Sequence, residues 1–388
     1  MSLTSSNFGV WARNALGCAV LAAALGLPQI CAGASEPIAT DAVPALKLKG
    51  KLRLAGKEVP PGTHKRLTWT SSMELEGLTA PMPIIVVNGS GPGPVLCLTA
   101  AIHGDELNGI EIVRRVMANL DPQEINGAVV GVPIVNLQGF YRGSRYLPDR
   151  RDLNRHFPGN PRGSAATRLA YSFFNEIVTH CSALVDLHTG SLDRSNLAQL
   201  RADLRLPQIA KLSRGFGSTV VLHSAGEHGS LRRAATDAGI PAVTFEMGEP
   251  MRVQPEHVEH GVKAIETLLY SLGMSSQRRY WGDTESVYYS SKWVRVDHGG
   301  ILFSEVALGE RVSEGELLGT ISDPMTEEQH RVYAPMSGRV LGMALNQMVL
   351  PGFAAYRLGA EGKDAKFTSA SAESRDDETG AEEDTRPD

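Results

Sequence analysis

Apolar residues recur along the first three quarters of the chain in two alternating patterns. Short unbroken runs, PVLCLTAAI (94–102), GAVVGVPIV (127–135), ALVDLH (183–188) and IPAVTFEMG (240–248), alternate with longer stretches at helical spacing. Those stretches are GIEIVRRVMANL, AATRLAYSFFNEIV and PEHVEHGVKAIETLLYSL. A strand that is apolar at every position must be covered on both faces. The pattern therefore predicts an α/β fold, a mostly parallel mixed sheet with helices on both faces. One domain is expected over 81–275, with IIVVNG (84–89) opening it and 35–80 forming a linker and N-terminal strands. Near residue 275 the polar stretch SSQRRYWGDTES breaks the rhythm. Short strands and Gly or Pro-Gly turns follow, so 276–360 is expected to form a small C-terminal all-β, barrel-like domain.

The two ends read differently. Arg13 precedes the apolar run ALGCAVLAAALGL (15–27), and Ala32 and Ala34 form a small-x-small pattern before Ser35. Residues 1–34 are thus expected to be a secretory signal peptide, since the run is short for the ~20 residues a membrane span needs. The mature protein is then exported, to the periplasm, without stable membrane insertion. Cys97 and Cys181 are the cysteines it keeps, each in an apolar run; one disulfide and two buried thiols both fit. Residues 361–388 carry ten acids and four bases with almost no large apolar residue, the composition of a disordered acidic tail. The net charge of −5 over 388 residues lies in that tail, and its sign argues against nucleic acid as a partner.

Chemistry gathers at the predicted strand ends, where open α/β sheets bind ligands. AAIHGDELNG (100–109) puts His103 and Glu106 three apart, which suits two ligands of a Zn²⁺ site or a capped helix start. His188 ends ALVDLH and can complete a His–Glu–His set that leaves one position for water. Asp186 is a candidate to orient a ligand from behind, or to cap a turn; Asp105, between the ligands, is expected to cap the helix or to support the metal. FYRGSRYLPDRRDLNRHFPG (140–159) holds five arginines, a run that suits a solvated face, while the adjacent Asn154 and Arg155 also suit a carboxylate. Glu246, after the strand IPAVTF, is the candidate general base, with Glu249 its competitor beyond the Gly turn.

Taken in order, HGDE, DLNR, DLHTG and FEMG resemble the motifs of the succinylglutamate desuccinylase/aspartoacylase family, a branch of the zinc carboxypeptidase superfamily. The likeness covers about 80–357 and implies a zinc carboxypeptidase-like catalytic domain. It implies that His103, Glu106 and His188 bind one Zn²⁺ per chain and that Glu246 is the catalytic acid/base. It also implies that Asn154 and Arg155 hold a substrate carboxylate and that Arg145 polarises the carbonyl, with Arg142 and Arg150 as alternatives. Arg201 is a candidate to face the substrate, or an ordinary surface arginine. The C-terminal segments GERVSEGELLG and APMSGRVLG are similar to lipoyl and biotinyl barrels, but no lysine stands at the usual tip, so no swinging arm is expected. The implied activity is hydrolysis of an amide beside a free carboxylate, in an N-acyl amino acid. A metallocarboxypeptidase acting on short peptides or wall fragments is the alternative within the same chemistry. A non-catalytic binding protein is the alternative outside it. The familiar family members work in the cytoplasm, whereas this leader predicts export.

Overall fold

The computed structural model describes residues 48–70, 81–277, 282 and 286–361. The predicted signal peptide, much of the linker and all but the first residue of the predicted acidic tail lie outside the described residues. A short hairpin of β1 (Leu52–Leu54) and β2 (Lys57–Val59) comes first. Then follow β3 (Thr63–Trp69), β4 (Met82–Asn88), β5 (Gly91–Ala100), α1 (Asn108–Asn119), β6 (Asn126–Val132), α2 (Leu137–Tyr141) and α3 (Ala165–Glu176). The α/β part ends with β7 (Ala183–His188), β8 (Arg194–Ala202), α4 (Pro207–Arg214), β9 (Val220–His223), α5 (Leu231–Asp237), β10 (Ala242–Gly248) and α6 (Pro255–Ser271). Strands alone follow: β11 (Val287–Arg295), β12 (Gly300–Ser304), β13 (Arg311–Val312), β14 (Leu317–Ser322), β15 (Gln329–Tyr333), β16 (Gly338–Ala344), β17 (Met348–Val349) and β18 (Ala354–Glu361).

At the centre, β6, β5, β7 and β10 run parallel, in that order. Alternate residues of β5 serve two cores, which is why its sequence reads as one apolar run. Val95 and Cys97 join Leu169 and Phe173 of α3 and Leu231 of α5 on one face. Leu96 and Leu98 join Ile112 and Val116 of α1, Ile209 of α4 and Ile265 of α6 on the other. Helices therefore cover both faces, as the sequence pattern predicts. Cys97 and Cys181 form a disulfide, fully buried at Cys97, between β5 and the segment that leads into β7. Among the described residues no helix is long and apolar enough to cross a membrane.

The C-terminal strands differ from the expected separate domain. β11 pairs parallel to β9, and β18, β16 and β13 extend the central sheet to twelve strands. β16 also pairs with β8, aligning Gly342 with Asn196 and Ala344 with Arg194. A second sheet, in the order β15, β14, β12, β17, packs over a shared core containing Val294, Leu302, Ile321, Val340 and Tyr356. The change of rhythm near 275 is thus a change of architecture inside one continuous sheet. Without β11, β9 would leave an unpaired edge beside β8.

Candidate active site

The first two proposed ligands stand where β5 gives way to α1. The backbone there is pinned by Val135 N to Ala100 O (3.1 Å), Asn136 N to Ala101 O (2.9 Å) and Gly104 N to Ser144 O (3.0 Å). Gly104 is required by close approach: a Cβ on it would lie 2.0 Å from the backbone of Gly139. Parallel pairing of β5 with β7 aligns Ala100 with Leu187, so His188 arrives beside the same turn. Nδ1 of His103 lies 2.8 Å from Oε1 of Glu106, and Nδ1 of His188 lies 2.8 Å from Oε2. All three side chains are buried, and their ligand atoms lie within 4.8 Å of one another.

The far side of each imidazole is anchored by an aspartate. Nε2 of His103 is 3.1 Å from Asp152 and Nε2 of His188 is 2.8 Å from Asp186, whose other oxygen accepts from the Thr99 hydroxyl at 2.7 Å. Carboxylates at Nε2 orient the rings so that both Nδ1 atoms face the carboxylate of Glu106. Two imidazole nitrogens and one carboxylate oxygen, buried and held from behind, fit a divalent metal of the zinc class. Burial opposes charge at Glu106, but His103 and His188 hold its carboxyl far below the usual range. Burial likewise opposes charge on His188, and Asp186 and Glu106 override it, holding the ring well above its ordinary value. Asp105 does not cap the helix: the N-cap of α1 is Leu107, with no side-chain hydrogen bond, and Oδ1 of Asp105 is buried without a partner. Nor does it reach the ligands, which Asp152 and Asp186 support instead.

The arginine loop delivers one guanidinium to this centre. Arg145 donates to Asp152 at 2.8 Å, and its other terminal nitrogen lies 3.1 Å from Nδ1 of His103 and 3.4 Å from Glu106. Its Nε is buried with no partner. Arg142 and Arg150 are exposed and do not line the pocket. Asn154 and Arg155 do line it. Asn154 accepts from the backbone N–H of Leu231 at the start of α5 (2.8 Å), and Arg155 pairs with Glu227 at 3.1 Å.

Glu246 ends the apolar part of β10, directly opposite His188 across the parallel β7–β10 pair. It is 6% exposed and lines the same pocket. Glu249 is buried outside the lining and paired with Arg252. Arg201 is no surface arginine; it reaches Oε1 of Glu246 at 3.2 Å, and Asn196 donates to Oε2 at 3.0 Å. Motif reading misses Asn196 and also Arg194, Arg232 and Trp293, which complete much of the wall. Arg194 donates to Ala354 O at 2.8 Å and lies over the rings of Phe353 and Trp293. Burial, then Arg295, Arg145 and Arg201, pull its guanidinium down to about 10. For Arg194 and Asn196 the signal is the row Arg194, Asn196, Gln199, Arg201, which puts polar side chains on one strand; Arg232 on α5 and Trp293 on β11 carry no such local signal.

Residues 92–272 match the sequence model of the succinylglutamate desuccinylase/aspartoacylase catalytic domain. Over 254 residues the chain is 28% identical to the N-alpha-acetyl-L-2,4-diaminobutyric acid deacetylase of Halomonas elongata, covering 62% of this chain and 74% of that protein. It is similar to the crystal structure of a succinylglutamate desuccinylase/aspartoacylase from Rhodobacter sphaeroides, with TM-score 0.70, 25% identity, and 81% and 100% of the two chains covered. The product-bound ectoine utilization protein EutE (DoeB) of Ruegeria pomeroyi has the same fold, with TM-score 0.69, 22% identity, and 77% and 95% covered.

Proposed function

We propose that this chain is a member of the succinylglutamate desuccinylase/aspartoacylase family, whose catalytic-domain model matches residues 92–272, and a zinc-dependent deacylase of N-acyl amino acids. One observation carries the reading: Nδ1 of His103 and of His188 both face Glu106, with Glu246 opposite His188 on the next strand. The deacetylase relative supports the substrate class. Zn²⁺ held by His103, Glu106 and His188, one per chain, would polarise the scissile carbonyl and lower the pKa of water towards ~7.

The remaining roles fall to the chain's own side chains. Asn154 and Arg155 bind the substrate carboxylate, with Glu227 holding the Arg155 guanidinium in orientation. Arg145 donates to the carbonyl oxygen as negative charge builds on it. Glu246 takes a proton from the attacking water on its carboxylate and returns it to the leaving nitrogen. A C–O bond forms, the C–N bond breaks, and a carboxylic acid and a free amino acid leave.

The test is release of amino acid from N-acetyl and N-succinyl amino acids, run beside short peptides with a free C-terminus. Turnover of the acyl amino acids, lost to a chelator and restored by Zn²⁺, supports the proposal. Glu246→Gln should lower kcat by roughly 10²–10⁴-fold with zinc retained. Turnover of peptides alone would make it a carboxypeptidase, and bound zinc without any turnover would make it a binding protein. Export to the periplasm is part of the same proposal, supported by the leader pattern and by a disulfide of the kind that persists in oxidising compartments. Cell fractionation, with a mature N-terminus at Ser35, is its check.

A further inference from the structure

β8 runs antiparallel to β10, against the direction of the parallel strands on the other side of Glu246. The register sets Gln199 opposite Glu246 and Arg201 opposite Thr244; an irregularity between Glu246 and Gly248 then sets Asn196 opposite Gly248. Arg201 and Asn196 therefore approach the carboxylate from two sides, one on each oxygen, at 3.2 and 3.0 Å. The Asn196 end of β8 is fixed in turn by β16. A Cβ on Gly342 would lie 2.7 Å from Oδ1 of Asn196, so the two strands touch at that point.

From this geometry we infer that Arg201 and Asn196 are positioning residues for Glu246. Their task is to hold the plane of its carboxylate so that the oxygen that exchanges the proton needs no search. An unrestrained glutamate samples several rotamers, and proton transfer works over a narrow range of distance and angle. The alternative is an ordinary buried ion pair. Such a pair favours stability when its hydrogen bonds are complete, yet Nε of Arg201 is buried with no partner. β8 is also costly as a strand, because Asn196 and Gln199 are buried polar side chains at 3% and 0% exposure. Burying such residues beside a proton-transfer group is explained by the precision they impose on it.

The inference rests on Glu246 handling the proton in the proposed reaction, so its test combines kinetics with a readout that needs no substrate. Arg201→Ala, Asn196→Ala and Arg201→Lys are compared with the wild-type protein for kcat, KM and zinc content. The rate at which a carbodiimide modifies Glu246 is followed by peptide mass spectrometry. Arg201→Ala should lower kcat by about 10²-fold and Asn196→Ala by about 10-fold, with KM and zinc little changed. Arg201→Lys, which keeps a cation for Oε1, should recover part of the loss. Modification of Glu246 should accelerate several-fold in both alanine variants, while Glu249 beside Arg252 reacts as before. If Arg201→Ala does not fold, Arg201→Lys and Asn196→Ala carry the same comparison. Loss in KM alone, or unchanged labelling of Glu246, overturns the inference. If the wild-type protein turns over no acyl amino acid, the functional reading fails, and labelling alone decides for or against the clamp.

Discussion

Asp186 stands behind His188 and would set how that ring meets the proposed metal. Its two oxygens are divided between Nε2 of His188 and the hydroxyl of Thr99. Asp186→Ala should weaken zinc binding about 10- to 100-fold, measured by competition with a chromophoric chelator. Thr99→Val, which removes only the aspartate's own support, should cost less. A second histidine makes a prediction about acid. His260 lies edge-on to Phe245 at 6.0 Å between ring centroids, and burial pushes it down to about 4. In the unfolded chain a histidine titrates near pH ~6.5, so protons favour unfolding between the two values. Stability associated with His260 is complete above about pH 6.5 and falls as the pH drops towards 4. Urea titrations at pH 7 and 5 should find that His260→Gln loses less stability than the wild type by about 1–2 kcal/mol, allowing for partial exposure of the ring. At this scale the sequence is legible where a rare residue type ends an apolar run, as at His103, His188 and Glu246. Arg201 is only half legible: the sequence offers it as a substrate-facing or a surface residue, and nothing local pairs it with Glu246.

Elements divide along the same line. β5, β7 and β10 are readable because both their faces are buried in apolar cores. β8 hides because it reads RSNLAQLRA and its polar side chains are buried against a site. Its neighbour β9 is only four residues long, too short for alternation to register. The turn between β5 and α1 tests how tightly an element must be held to keep its chemistry. The backbone of Gly139 lies where a Cβ at Gly104 would be, so Gly104→Ala has to push two backbones apart. The expected result is a loss of more than about 2 kcal/mol in stability and substoichiometric zinc, read by denaturant titration and metal analysis of the same preparation.

At the scale of the whole molecule, the disulfide is the longest covalent short cut among the described residues. It closes a loop across a sequence separation of 84 residues. On a chain-entropy account, replacing both Cys97 and Cys181 by alanine should lower unfolding free energy by roughly 4.5 kcal/mol, with zinc binding retained by the fraction that remains folded. Equal stability of the oxidised protein and the double variant, by denaturant titration, would contradict this. The boundary near 275 is legible as a change in composition, but the pairing across it is not. Strand partners far apart in sequence leave no local pattern, as with β11 and β9.

The contact between β16 and β8 has a consequence for how such a protein diverges. A gene fragment encoding the α/β part alone would not carry an intact pocket, because Asn196 lies against the backbone of a strand encoded much later. Recombination between relatives should therefore succeed when β8 and β16 are inherited from the same parent. Substitutions beside Gly342, remote in sequence from the motifs of the site, offer a route by which descendants retune the carboxylate of Glu246 without touching a residue of the metal site.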